Sequence, residues 1–382
     1  MNKNLERFQE RTLFYFGTSI GAPLYKILPS HAKIFREVIY ICPGKKDGNS
    51  FWQKENMKII TLEGWGKGLI SKIALTWHLN RISREVKSIM CGIEQPIVHI
   101  GLPSIFNLCL LPTLRILTPY IFPIIRGDWR ANIDISVPLG KYIGLGQFLD
   151  KQLQLQMRKF PLIITAGHRL AQKYDHNLTY VWHGTTHDSI RYRTDRKSRT
   201  LAFLGRLDQN KRCIDIIKSV KLLVTGGLRD IRLIIAGDGP QRIALEQYVQ
   251  KHELANHVEF TGWINDSDEL LQLLDNTDIV IMSSLSEGTP KVIPEAMARG
   301  CLVIATPVGD VPWMIRDKCN GLIVPPRNPD AIRFAILYLI NNPEMRSSIR
   351  NEAYNYAREH TITAEVSKMW SWVSENIDTR IA

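Results

Sequence analysis

Two cations five residues apart carry the first chemical signal in this chain: Arg206 and Lys211, in Gly205-Arg206-Leu207-Asp208-Gln209-Asn210-Lys211. They span the end of an apolar run, Thr200–Leu207, and the start of a helical one, Cys213–Leu223. From there both can reach one diphosphate lying over a sheet. Gly205 lets backbone come close to such a ligand. The alternative is an arginine and a lysine solvated on a loop. Two carboxylates follow, in Ser286-Glu287-Gly288-Thr289-Pro290-Lys291-Val292-Ile293-Pro294-Glu295. Inside a helix Pro294 would cost about 3 kcal/mol. That cost vanishes for a helix beginning at about Pro290 or Lys291, because first-turn N–H groups have no intrahelical partner. Those N–H groups and the helix dipole then point at a phosphate. Glu287 sits beside that position and Glu295 about one turn inside, where a carboxylate suits sugar hydroxyls. A capping carboxylate with a surface glutamate is the other reading.

Other motifs exclude as much as they suggest. Ala236-Gly237-Asp238-Gly239-Pro240 invites a dinucleotide fingerprint, but Arg242 occupies its third glycine position, so the fingerprint fails. Asp266-Ser267-Asp268 matches a metal-holding Asp-x-Asp, yet it precedes an amphipathic stretch and reads better as a helix cap. The six cysteines are scattered with no C-x-x-C pair, which argues against a zinc site and a disulfide framework and predicts a reducing compartment. No metal is expected.

The elements that must position these residues are parallel strands. Thr200–Leu207, Ile231–Ala236, His257–Trp263, Asp278–Met282, Leu302–Thr306 and Gly321–Val324 are short apolar runs, separated by helical spacing at Cys213–Leu223, Ser267–Leu274, Lys291–Arg299 and Asp330–Asn341. Runs without alternation between helices mean strands buried on both faces, which bind ligands at their carboxyl ends. The first half repeats the grammar at Leu13–Phe16, Val38–Ile41, Ile59–Leu62, Ile97–Ile100, Tyr120–Ile125, Leu162–Thr165 and Leu178–His183, with an amphipathic helix from Ile70 to about Met90. The fold class is α/β. Polar Arg191–Arg199 separates two doubly wound domains, residues 1–190 and 191–355, with 356–382 as a closing helix.

The 382-residue composition, 45% hydrophobic and 23% charged, excludes disordered, collagenous and coiled-coil classes. The polar opening predicts no secretory signal. The greasiest stretch, Gly101–Ile125, holds Arg115 and four prolines, short of the about 20 apolar residues of a spanning helix. It reads as a buried helix near Ile105–Leu110 and a buried strand, or as a segment dipping into a membrane surface. Charge is lopsided. Residues 1–190 carry 24 Lys+Arg against 13 Asp+Glu, and residues 191–382 carry 25 against 24. A basic half meets something anionic, or is a solubilising surface.

In order, GRL-x3-K, AGDGP, V-x-F-x-G (Val258–Gly262), SEG-x-P-x4-EAMA-x-G (Ser286–Gly300), TPVG (Thr306–Gly309) and NGL-x-VPP (Asn320–Pro326) resemble the retaining family-4-type glycosyltransferases of the GT-B fold. The resemblance covers about Leu201–Asp330. It implies two facing Rossmann-like domains with an inter-domain cleft, the C-terminal one binding a nucleotide-sugar. By motif, Arg206 and Lys211 would bind the donor diphosphate, Glu287 would face the transferred sugar and Glu295 the ribose, with Gly205, Gly288, Thr289 and Lys291 lining the donor. The final stretch Thr361–Ile377, with Trp370 and Trp372, would return to the first domain. The loop Gly17–Gly21 resembles the family's glycine loop near the donor phosphates, and a tight turn explains it equally. Two departures stand out. Gly309-Asp310-Val311-Pro312-Trp313 replaces the usual Gly-Gly-x-Pro-Glu. Where members carry a histidine in the first domain, this chain has Ile125-Arg126-Gly127-Asp128, making Arg126 and Asp128 donor-site candidates. His183 and His187 are given no role.

The leading expectation is a metal-independent hexosyltransferase of cell-surface polysaccharide assembly (lipopolysaccharide or capsule). It would use a lipid-linked or anionic glycan acceptor, working in the cytoplasm and peripherally on the inner face of an anionic membrane. Cations at the strand ends would stabilise the departing diphosphate. A sugar-nucleotide epimerase or phosphorylase on the same fold is the second reading. A nucleic-acid-binding protein is the third; only net charge suggests it, and no nucleic-acid motif supports it.

Overall fold

A computed structural model describes residues 3–17, 22–44, 51–63, 75–102, 104–127, 145–174, 176–183, 187–192 and 199–377. The chain forms two compact units, Met1–Trp182 with Ile362–Ala382, and His183–Thr361. The sequence places these divisions at 190/191 and 355/356.

In the first unit the strands are β1 (Thr12–Phe16), β2 (Glu37–Gly44), β3 (Phe51–Lys54), β4 (Met57–Glu63), β5 (Ile97–Leu102), β6 (Ile121–Ile125), β7 (Ile163–Ala166) and β8 (Thr179–Trp182). They order as β3-β4-β2-β1-β5-β6-β7-β8, parallel except for β3 against β4. The helices are α1 (Ala22–Ala32), α2 (Leu75–Met90), α3 (Ile105–Leu117), α4 (Leu145–Met157) and α5 (His168–Tyr174). Alternate residues of β1 serve opposite faces of the sheet. Phe14 and Phe16 pack against Ile82 and Val86 of α2, Leu110 and Leu114 of α3, and Leu153 and Met157 of α4. Leu13 and Tyr15 face the other side.

The second unit follows the strand–helix alternation closely. Its strands are β9 (Thr200–Leu204), β10 (Arg232–Ala236), β11 (Val258–Gly262), β12 (Ile279–Met282), β13 (Leu302–Ala305) and β14 (Leu322–Ile323), in the order β11-β10-β9-β12-β13-β14. Among the described residues every pairing in this sheet is parallel. Between and after them lie α6 (Cys213–Thr225), α7 (Arg242–Lys251), α8 (Ser267–Asp275), α9 (Val292–Ala298), α10 (Val311–Met314), α11 (Pro329–Asn341) and α12 (Pro343–Glu359). One face buries Ile216, Ile217 and Val220 of α6 with Ile332 and Ile336 of α11. The other buries Ile293, Ala296 and Met297 of α9 with Ala353 and Ala357 of α12. The order reverses between β9 and β12, and a doubly wound sheet opens its ligand crevice at the carboxyl ends of two such strands.

The last helix, α13 (Ile362–Ile377), belongs to the first unit. Its Trp370 is wholly buried, with ring neighbours Phe8, Phe35, Phe122, His31 and His99 at 4.9–6.1 Å. Both histidines and Tyr15 are buried with it. Nδ1 and Nε2 of His31, Nδ1 of His99, the Tyr15 hydroxyl and Nε1 of Trp370 have no protein hydrogen-bond partner among the described residues. No described helix is long and apolar enough to cross a membrane.

Candidate active site

β9 ends at Leu204 and the chain turns at Gly205, whose φ of +148° suits glycine. The Gly205 N–H donates to the Ala236 carbonyl at 3.0 Å. A Cβ on Gly237 would collide with the Gly205 carbonyl, and one on Gly239 would lie 2.5 Å from that of Leu207. The glycines of AGDGP therefore let the β9 and β10 loops lie against each other.

The loop is tightly tied beyond that turn. Asp208 Oδ1 accepts from the backbone N–H groups of Asn210 (2.9 Å) and Lys211 (3.0 Å). Asn210 stitches it to the β12 loop: its side-chain amide donates to the Ser286 carbonyl at 2.8 Å, and its own carbonyl accepts from Leu285 N–H at 2.8 Å. The Ser283 hydroxyl lies 3.0 Å from the carbonyl oxygens of both Lys211 and Arg212. These bonds hold two loops 71–76 residues apart in sequence at the β9/β12 reversal.

Lys211 Nζ meets Glu287 Oε1 at 2.6 Å, with 27% and 12% of the two side chains exposed. Arg206 rises from the same loop, 68% exposed, its Nε 3.7 Å from Asp208 Oδ2. Helix α9 begins at Val292, so Pro294 falls in the first turn, where its missing N–H costs no helix bond. The Glu295 N–H donates to the Lys291 carbonyl at 3.1 Å. Below the Glu287 loop, the Asp310 N–H donates to the Gly288 carbonyl at 2.9 Å, and the Thr289 hydroxyl donates to the Asp310 carboxylate. Gly309 has φ +59°, and a Cβ there would overlap the Glu287 and Gly288 carbonyls.

Of the second-unit candidates, Gly205, Arg206, Lys211, Glu287, Gly288 and Thr289 thus converge on the two loops at the reversal, with Lys291 and Glu295 on the adjoining helix start. Sequence reasoning missed Asp208, Asn210, Ser283 and Asp310. Asp208-x-Asn210 is an Asx-turn pattern that was there to be read; nothing local marks the other two. Asp266 accepts from the N–H groups of Asp268 (2.6 Å) and Glu269 (3.1 Å), so it caps α8.

In the first unit, the Gly17 N–H donates to the Ile41 carbonyl at 2.9 Å. The Tyr40 ring occupies the space a Gly17 Cβ would need. The rest of that loop, through Gly21, lies outside the described residues. Arg126 follows β6 with its guanidinium 5.4 Å from the Tyr15 ring centroid. It keeps an exposed surface while surrounding protein lowers its pKa to about 10 by burial. Asp128 lies outside the described residues.

Residues 186–356 match the family model described as glycosyl transferases group 1. An uncharacterized glycosyltransferase of Methanocaldococcus jannaschii is 30% identical over 181 residues, 47% of this chain and 45% of that one. The phosphatidylinositol N-acetylglucosaminyltransferase GPI3 subunit of Saccharomyces cerevisiae is 26% identical over 186 residues, 49% of this chain and 38% of that one. The chain spans less than half the length of these curated relatives. Anabaena HepE, solved in complex with UDP, aligns with a TM-score of 0.68 over 96% of this chain and 100% of that one, at 15% identity. That alignment gives the fold of both units. With its ordered motifs set at the β9/β12 reversal, the His183–Thr361 unit of this GT-B fold is similar to the glycosyl transferases group 1 family over residues 186–356.

Proposed function

We propose that the chain is a retaining hexosyltransferase. It moves a sugar from a nucleotide-sugar to a lipid-linked or polysaccharide-precursor acceptor in cell-surface polysaccharide assembly, on the cytoplasmic side of an anionic membrane. The observation that carries the reading is the Lys211–Glu287 pair at the strand-order reversal, with Arg206 beside it. Breaking a sugar–phosphate bond places negative charge on the departing nucleoside diphosphate. Arg206 is exposed enough to swing onto it, and Lys211 is held on the same side. Fixed cations that meet charge as it develops are worth about 3–4 kcal/mol each in the barrier. Glu287, paired with Lys211 through one oxygen, is placed to exchange that ammonium for a sugar hydroxyl. We read it as a positioning group rather than a nucleophile, because its carboxylate is already paired with the Lys211 ammonium. Glu295 takes the ribose, and Lys291, Thr289, Gly288 and Gly205 line the donor.

The relatives' names support the chemistry: one is an N-acetylglucosaminyltransferase subunit and HepE was solved with UDP. A thermal-shift panel of UDP, GDP, ADP and their sugars tests the reading. A ligand at a hundred times its Kd stabilises by about 2.7 kcal/mol. A panel without any shift overturns it, and the product anomer, read by NMR, tests retention.

A further inference from the structure

The outer face of the α2–α3–α4 layer has a composition that the sugar-transfer reading does not use. Among the described residues of the first unit, the exposed large hydrophobic side chains are Ile116 (76%), Phe148 (58%) and Leu155 (44%), and all three lie on this layer. Ile116 stands in the greasy stretch Gly101–Ile125, so that stretch is not wholly buried. Between α3 and α4 runs a groove of about 550 Å³. Leu108, Leu111 and Pro112 supply its apolar wall, and Arg115 and Lys159 lie among its lining residues. The Arg115 guanidinium lies 4.6 Å from the Phe160 ring centroid, so its stem and head cover apolar surface while the charge stays at the groove edge.

Charge complements the greasy residues. The layer exposes Arg84, Lys87, Arg115, Lys151, Arg158 and Lys159. The three helices hold only two acids. Glu85 is half-buried; Asp150 is buried with its carboxylate 2.6 Å from Lys173 Nζ. Solvent-exposed apolar side chains on helices that also expose cations, with only two acids among them, suit one occupant: a bilayer whose surface is anionic and whose acyl boundary accepts the hydrophobic tips. A protein partner or second copy with a neutral apolar face would leave the cations without a counter-charge.

We infer that the α3–α4 groove and its basic rim are a docking surface for anionic lipid bilayers, with Ile116, Phe148 and Leu155 entering the interface. This gives the membrane contact proposed above a location, and that part rests on the same reading. Its test uses neither donor nor turnover, so its failure is distinct from the failure of sugar transfer.

Full-length protein is sedimented with vesicles of phosphatidylcholine alone and with 30% phosphatidylglycerol, at low and high salt. Binding is expected to the anionic vesicles, falling as salt rises. Arg115→Gln with Lys159→Gln should lower partitioning about 30-fold, since each cation near the surface contributes about 1 kcal/mol. Lys218→Gln with Lys251→Gln removes the same charge from the second unit and should leave binding unchanged. Phe148→Ser, an exposed position, should weaken binding while circular dichroism and melting stay as in the parent. Three results overturn the inference: indifference to phosphatidylglycerol, equal losses from the two lysine/arginine pairs, or lipid-free self-association that Phe148→Ser abolishes.

Discussion

Acid should weaken the first unit well before any carboxylate titrates. His31 and His99 are each 1% exposed, with ring centroids 6.0 Å apart. Burial lowers His31 from 6.5 to about 3. Burial also holds His99 well below its usual value, and the nearby His31 adds to the effect. Both are therefore neutral in the folded unit at pH 5, whereas the unfolded chain protonates them below about 6.5. A depressed folded-state value means stability that is whole above 6.5 and lost as pH falls toward 3. For His31 the loss between pH 7 and pH 5 is about 2 kcal/mol, from about 1.4 kcal/mol per unit of pH below 6.5. His99 acts in the same direction. For a unit of this size 2 kcal/mol is about 4–8 °C in Tm. Burial pushes Asp275 up, but its bonds to Arg299 and Arg191 win and hold it below 3.8, so its contribution leaves in a lower window. Urea unfolding at pH 7, 6 and 5, read by pulse-labelled exchange of β1 and β5 peptides, isolates this unit. His31→Leu, which cannot take a proton, should shrink the pH 7-to-5 loss by about 2 kcal/mol. Equal stability at pH 7 and 5, or a full loss in the variant, refutes the argument.

Four further outcomes bear on the proposed transfer site. Arg206→Ala should lower kcat/KM by about 100- to 1000-fold with an unchanged melt, because the side chain is exposed; near-normal turnover removes the diphosphate assignment. Gly309→Ala should destabilise by about 1–3 kcal/mol and weaken donor binding. Gly92→Ala, at φ +80° with open space around it, should cost only about 1 kcal/mol and spare the donor; matching donor affinities in the two variants would sever the Gly309 contact from the site. Glu287→Gln should bind free nucleoside diphosphate more tightly yet transfer sugar more slowly, measured by calorimetry and turnover. Transfer should survive a chelator, since protein cations meet the leaving charge; loss restored by magnesium or manganese would reverse that.

The second unit was legible because its strands are unbroken apolar runs and its motifs fall just after them. Val292–Ala298 could be placed from Pro294, since a first-turn position is where the missing N–H costs no helix bond. The first unit was harder. β3 is four residues long and pairs antiparallel at the sheet edge, too short to show a period. α3 passes through Pro112 to Leu117, where the sequence reading stops at Leu110. Pro112 sits on the exposed side, and burial of Leu110, Leu111 and Leu114 outweighs the lost bond. Neither α4 nor α12 was anticipated. In the site, the acids and cations announce themselves by type, whereas Asn210 and Ser283 act by bonding backbone 71–76 residues away and the Asp310 carboxylate accepts from a hydroxyl 21 residues away. Such roles exist only once the loops have met. The buried histidines were equally silent: a histidine between Val98 and Ile100 reads as a polar interruption until the sheet closes over it.

The charges of the two loops at the β9/β12 reversal balance one another. Arg206 and Lys211 face Asp208 and Glu287, so the four side chains are neutral together and none is left desolvated and unmatched. On the proposed reading a diphosphate is not drawn by surplus charge on this quartet but replaces a carboxylate as the partner of Lys211. Glu287 is 12% exposed, and pulling it from its lysine without a substitute would leave a crowded anion unpaired. A sugar hydroxyl is such a substitute. On the proposed reading, the sugar releases Lys211 by engaging Glu287, and the freed ammonium then meets the phosphate as negative charge grows on it. Sugar recognition and leaving-group stabilisation become one event, which favours whole nucleotide-sugar over the spent diphosphate and helps the product to leave.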